Sequence, residues 1–122
     1  MADSSGKSGE DRAASALARK GFRILERNYH SRFGEVDIIA ENGTYIVFVE
    51  VKTRERNALV GPLEAVTPAK RKKIAKTALL YLQRHPTGLQ PRFDVIAVET
   101  SGRDRSVQSL RHIENAFDVS SG

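Results

Sequence analysis

A chain of 122 residues, 39% of them hydrophobic, has the length of one ordinary domain and enough apolar content for one core. It contains no cysteine, which excludes disulfides, thiolate metal sites and cysteine nucleophiles. Twenty Lys and Arg against 15 Asp and Glu give a formal charge of +5, and no apolar run approaches the ~20 residues that a bilayer requires.

Residues 1–8 are polar and small, without the apolar middle of a secretory signal, and are expected to be a flexible tail. Residues 9–117 are expected to form the single domain, residues 118–122 a second tail, and the protein to be soluble and cytoplasmic. Gly6-Lys7-Ser8 has the ending of a phosphate-binding loop. The required earlier glycine would fall at Met1 and no strand precedes it, so that reading is rejected.

A first helix is expected over residues 9–20, with Ser8 as cap, Glu10 and Asp11 at its positively polarised start and Gly21 as its stop. Ala13, Ala14, Leu17 and Ala18 make its apolar stripe. At about 100° per residue, Glu10 lies within ~60° of Ala13, Ala14 and Leu17. One acid thus shares the protein-facing stripe, although helix capping would explain it equally well.

Residues 22–28 read as a short strand. Glu35–Ala40 and Tyr45–Lys52 then flank Asn42-Gly43, the strongest short hairpin signal. A two-residue turn there pairs Glu41 with Thr44, Asp37 with Phe48 and Glu35 with Glu50. Glu35, Asp37, Ile39, Ile46, Phe48, Glu50 and Lys52 fall on one face of the hairpin. The other face, Val36, Ile38, Ala40, Val47, Val49 and Val51, is wholly apolar and is expected to be the main core.

Thr67-Pro68 opens a second helix, with threonine as cap and proline at the first helical position. Ile74, Ala75, Ala78, Leu79 and Leu82 make its stripe, and His85-Pro86 ends it. Arg92–Glu99 follows as a mostly apolar strand after a helical crossover, and so is expected to lie parallel to Tyr45–Lys52. Val107–Ile113 is expected as an edge strand and Glu114–Phe117 as a closing turn. The fold class is α/β, a mixed sheet flanked by helices.

The basic excess is local. Between Thr67 and Arg92 stand Lys70, Arg71, Lys72, Lys73, Lys76, Arg84 and Arg92 and no acid, whereas the rest of the chain carries a net −2. A face of this kind attracts polyanions, nucleic acid first, though a solvated lysine-rich helix would have the same composition. On the hairpin, Asp37 and Glu50 are diagonal neighbours with α-carbons roughly 7–8 Å apart. Carboxylates so placed repel unless a cation intervenes, and Mg²⁺ takes one or two carboxylates together with water and phosphate. Lys52 projects beside them. Ordinary ion pairing on a half-exposed face would leave the same pattern.

Asp37 followed by Glu50-Val51-Lys52 resembles the signature of the PD-(D/E)xK nuclease superfamily. Gly9-Glu10, Arg27-Asn28, Gly34 to Ala40, Phe48 to Arg54, Lys70 and Arg92 to Val95 occur in the order that resembles the small bacterial YraN-like family, related to archaeal Holliday-junction resolvases. Val36 stands where the superfamily's name places proline, as expected in this branch.

The resemblance implies a restriction-endonuclease-like core. It also implies Mg²⁺, with Mn²⁺ as a substitute, held by Asp37, Glu50 and the Val51 backbone carbonyl. Lys52 would position the attacking water, and Glu10 would be the helix-borne glutamate that completes the site. The implied reaction is hydrolysis of phosphodiester bonds, in DNA ahead of RNA, on branched or otherwise structured substrates. Arg54, Arg56, Lys70, Arg71, Lys72, Lys73 and Lys76 are the expected phosphate track.

Glu35 and Asp94 are supporting acids that salt bridges would explain as well. His30, His85 and His112 lack metal-like spacing. A nucleic-acid-binding protein with a nuclease fold and little activity alone is the alternative, and an α/β scaffold with no nucleic acid role is the third reading. No membrane partner is expected. A homodimer stays open, because related resolvases act in pairs.

Overall fold

In a computed structural model, which describes residues 5–55, 57–101 and 106–118, helix α1 spans Ser5–Arg19. It starts a turn earlier than expected, so Ser8 lies within the helix and Glu10 falls in its second turn. Arg56, expected in the phosphate track, lies outside the described residues, as do residues 1–4 and 119–122 of the two expected tails. Gly21 ends α1 as expected, with φ of 94°. Phe22 N–H donates to Leu17 C=O at 3.0 Å and Gly21 N–H to Ala18 C=O at 3.0 Å, the paired bonds of a glycine-terminated helix. Ala13 and Leu17 are buried, but Ala18 is exposed, so the apolar stripe is narrower than expected.

The strands β1 (Arg23–Ser31), β2 (Gly34–Glu41), β3 (Tyr45–Glu55), β4 (Gln90–Thr100) and β5 (Val107–Ile113) form one sheet in the order β1-β2-β3-β4-β5. β3 and β4 run parallel, as the crossover requires, and the other neighbours are antiparallel. The crossover holds a short helix α2 (Pro62–Ala65) and α3 (Pro68–Arg84). Thr67 caps α3, its side chain accepting from Lys70 N–H at 3.2 Å, with proline in the first turn. α3 buries Ile74, Thr77, Ala78 and Tyr81, while Leu79, expected inside, is exposed. No helix among the described residues is long and apolar enough to cross a membrane.

The hairpin turn sits one residue later than expected. Asn42 uses its side chain to accept from Thr44 N–H at 2.8 Å and Tyr45 N–H at 2.7 Å, and its own N–H donates to Tyr45 C=O at 3.0 Å. An asparagine that folds the turn through its side chain stands at the turn's first position, not inside it. Glu41 therefore pairs with Ile46, Ala40 with Val47, Ile39 with Phe48 and Ile38 with Val49. A slip of two residues keeps every side chain on its face. Carried one step further, the register sets Asp37 level with Glu50 rather than Phe48.

The core lies on both sides of the sheet, not chiefly on one. Under α1 pack Ala13, Leu17, Phe22, Ile38, Ala40, Val47, Val49, Ile96 and Val98. Under α3 pack Val36, Ile39, Ile46, Phe48, Val66, Ile74, Ala78, Tyr81, Val95 and Phe117. Both faces of a hairpin inside a helix-covered sheet become interior, so Ile39, Ile46 and Phe48 form core as fully as Ile38, Ala40, Val47 and Val49 on the other side. Val36 packs on the α3 side and Ile38 on the α1 side. Strict alternation lapses between them, at Asp37.

Candidate active site

The last β2–β3 pair is Ile38 with Val49. Beyond it Asp37 replaces strand pairing with a side-chain bond, its Oδ2 accepting from Val51 N–H at 2.8 Å. That bond seats the carboxylate against β3 where the two strands part. A cleft of ≈ 480 Å³ opens there, lined by Glu10, Asp37, Glu50, Val51, Lys52, Thr53, Arg54, Glu55, Lys70 and Thr100.

Each element delivers its side chain for a local reason. α1 reaches the cleft because Gly9 is buried against β3, where a methyl group would collide with Thr53 Oγ1. The next residue, Glu10, then faces the cleft, and Arg27 of β1 lies 3.8 Å from its carboxylate and 2.8 Å from that of Asp11. β3 supplies Glu50 and Lys52 two residues apart on one face. From the opposite side of the sheet to α1, the capped first turn of α3 supplies Lys70.

Glu50 is only 5% exposed, yet its Oε2 meets Lys70 Nζ at 2.7 Å and Lys52 Nζ at 3.5 Å. Burial pushes the Asp37 carboxyl up to about 7, and the neighbouring Glu50 charge adds to it; the Val51 N–H opposes the shift. Burial holds Lys52 below the ordinary ammonium value, with the Lys70 charge acting in the same direction. Burial also works against the charge on Lys70, but its hydrogen bonds to Glu50 and Lys52 outweigh this and raise it.

Among the described residues, no three Asp, Glu or His side chains converge tightly enough to cage an ion by themselves. Asp37 and Glu50 offer two hard oxygen donors beside a backbone carbonyl at Val51. That number suits Mg²⁺, which leaves its remaining positions to water and substrate phosphate. The donor chemistry therefore fits a hard divalent cation.

Other expected site residues fall elsewhere. Glu35 is exposed and lies opposite His30 on β1, not opposite Glu50. Arg71 turns away from the cleft. It donates to the carbonyls of Val66 at 2.8 Å and Leu63 at 3.0 Å and lies over the Phe117 ring, tying α2 to Phe117. Two of its guanidinium nitrogens are thus engaged within the fold.

Asp94 is fully buried on β4. It accepts two bonds from Arg92 at 2.9 Å each, one from Asn115 N–H at 3.0 Å, and meets His112 Nε2 at 2.7 Å. This is the arginine pairing that was the competing explanation. Lys72, Lys73 and Lys76 are exposed along α3, and Arg54 stays at the cleft. Thr53, Glu55 and Thr100 also line the cleft; no local pattern marks them, since only the β3–β4 pairing brings Thr100 beside Glu55.

The sequence model of uncharacterised protein family UPF0102 matches residues 9–98. A UPF0102 protein of Persephonella marina is 45% identical over 115 residues, covering 93% of each chain. One of Chlorobium phaeobacteroides is 48% identical over 118 residues and covers 92% of each. One of Syntrophomonas wolfei is 44% identical over 110 residues, spanning 89% of this chain and 93% of its own.

Proposed function

The chain belongs to uncharacterised protein family UPF0102, and from its cleft we propose that it is a metal-dependent hydrolase of phosphodiester bonds in DNA. One observation carries the reading: Glu10, Asp37 and Glu50 share one open cleft with Lys52 and Lys70. Acids in a nucleic-acid groove repel phosphate, so binding alone has no use for them. Asp37, Glu50 and the Val51 carbonyl would hold Mg²⁺ or Mn²⁺. Such an ion, when bound, polarises a phosphoryl oxygen and acidifies a water.

The protein's own groups do the rest. Lys52, held below the ordinary ammonium value at the cleft, would orient the attacking water and offset charge that develops on the phosphate. Lys70, paired with Glu50 in the resting site, would meet an incoming phosphate at the cleft. Glu10 takes hydrogen bonds from water on the α1 side. Arg54 extends the positive charge along the cleft wall.

The measurement is cleavage of single-stranded, duplex and branched DNA, and of RNA, with Mg²⁺, Mn²⁺ or chelator. Asp37→Ala and Lys52→Ala should each lose cleavage by about 100-fold or more, while Asp37→Ala binds DNA as well as or better than the wild type. Residual cleavage unaltered by Asp37→Ala defeats the assignment. A second reading, a nuclease fold that binds but cuts only within a complex, draws on the double engagement of Glu50 by Lys52 and Lys70. Salt-sensitive binding without cleavage under any metal would select it.

A further inference from the structure

The tip of the β1–β2 hairpin carries a cluster that the cleft does not use. Arg32 Cζ lies 4.9 Å and Lys76 Nζ 5.3 Å from the centre of the Phe33 ring. Both distances are within the range where a ring face attracts a cation. Phe33 is half-buried, whereas Arg32, Lys73 and Lys76 are exposed. Among the described residues no carboxylate forms an ion pair with any of the three cations. The nearest acid in sequence, Glu35, is exposed on β2 and lies opposite His30.

The cluster is continuous with the cleft. Lys70, Lys73 and Lys76 recur every third residue of α3, so each is turned by about 60° from the last and raised by about 4.5 Å. Lys70 points into the cleft at Glu50. One step on, the Lys73 side chain packs on Gly34, where an added Cβ would lie only 3.3 Å from Lys73 Cβ. A further step places Lys76 over Phe33. The row thus winds about 120° around α3 from the cleft to the hairpin tip, about 9 Å away along the helix axis. Like charges so grouped repel, and the ring and the close Gly34 contact hold them together. Fixed, unpaired cations around an aromatic are complementary to a phosphodiester backbone.

We propose that Arg32 and Lys76, gathered on Phe33, and Lys73, beside them on Gly34, form a second phosphate-binding subsite that grips the substrate strand beyond the phosphate held in the cleft. This rests on the reading of the cleft as a phosphodiester site. It makes the substrate a polynucleotide whose backbone spans both places, and Phe33 a positioning residue.

The test is fluorescence anisotropy of a labelled single-stranded oligodeoxynucleotide, and of its duplex, with the full chain in chelator over a series of salt concentrations. Arg32→Gln with Lys76→Gln should make the slope of log affinity against log salt shallower by about 1 to 2 and weaken binding at moderate salt about tenfold. Phe33→Leu should lose part of that affinity, and Phe33→Tyr, which keeps the ring, should restore it. Arg19→Gln, at an exposed position at the end of α1, should leave the slope unchanged.

Wild-type slope and affinity in the double variant overturn the subsite. Phe33→Leu indistinguishable from wild type overturns the ring's part in it. A wild-type protein that binds no nucleic acid in a salt-dependent manner overturns both the subsite and the hydrolase reading. Binding with the expected losses, but no cleavage with Mg²⁺, leaves the subsite standing and defeats only the hydrolase.

Discussion

Asp37 loses the ordinary behaviour of a carboxylic acid through burial first and the Glu50 charge second, and its proton is held up to about 7. The folded state therefore binds this proton more tightly than the unfolded chain does. Its stabilising effect is fully present below the ordinary carboxylate value and is lost as pH rises through about 7. In chelator, wild-type protein should melt at a lower temperature at pH 8 than at pH 5 relative to Asp37→Asn. That variant should be more stable at pH 8 by about 1–2 kcal/mol while lacking cleavage, the usual exchange of stability for function.

Asp94 runs the other way. Burial raises its pKa, but the His112, Arg92 and Asn115 hydrogen bonds outweigh that and hold it below the ordinary value. Its contribution is present above that value and disappears as pH falls through the lowered one. Asp94→Ala leaves Arg92 and His112 nearly buried without their partner, and urea unfolding at pH 7 should show a loss of about 3–5 kcal/mol.

Among elements, the seating of α1 on β3 decides where Glu10 stands. Gly9→Ala adds a methyl against Thr53 Oγ1. It should lower cleavage on the order of tenfold to 100-fold by misplacing Glu10, and Thr53→Ala in the same chain should recover most of the loss. Steady-state cleavage of the single and double variants checks this. At the start of α3, Thr67→Ala removes the cap on Lys70 N–H and should cost about 1 kcal/mol in urea unfolding.

These elements also show what the sequence could reveal. The strand alternation that sets Glu50 and Lys52 on one face depends only on parity, so it survives the displacement of the turn, while Asp37, where the alternation of β2 lapses, reaches them through its bond to Val51 N–H. The turn itself was misplaced because Asn-Gly fits two adjacent positions, and only the Asn42 side-chain bonds select one. The parallel β3–β4 pair and the α3 cap were legible in the same local way. Lys70 on Glu50 and Arg71 on Leu63 and Val66 were not. Adjacent in sequence and alike in charge, they differ because a rotation of about 100° about the helix axis aims one at the cleft and the other at α2.

Across the whole molecule, one sheet divides two cores that share no buried residue. Ile74→Val on the α3 side and Ile96→Val on the α1 side should each cost about 0.5–1.5 kcal/mol. Separated by the sheet, their costs should add to within about 0.5 kcal/mol, which urea unfolding of the double variant measures. The single parallel junction has a kinetic consequence. β3 cannot zip onto β4 until the chain between Glu55 and Gln90 has closed its loop, a slow, non-local event compared with the β2–β3 hairpin. Because Lys70 rides on that loop and Thr100 ends the strand it delivers, the cleft matures late in refolding. A hairpin formed first would carry the acid pair before its ammonium partner arrives, so under the proposed metal site stopped-flow metal uptake should keep pace with the rise of hairpin ellipticity rather than wait for β4.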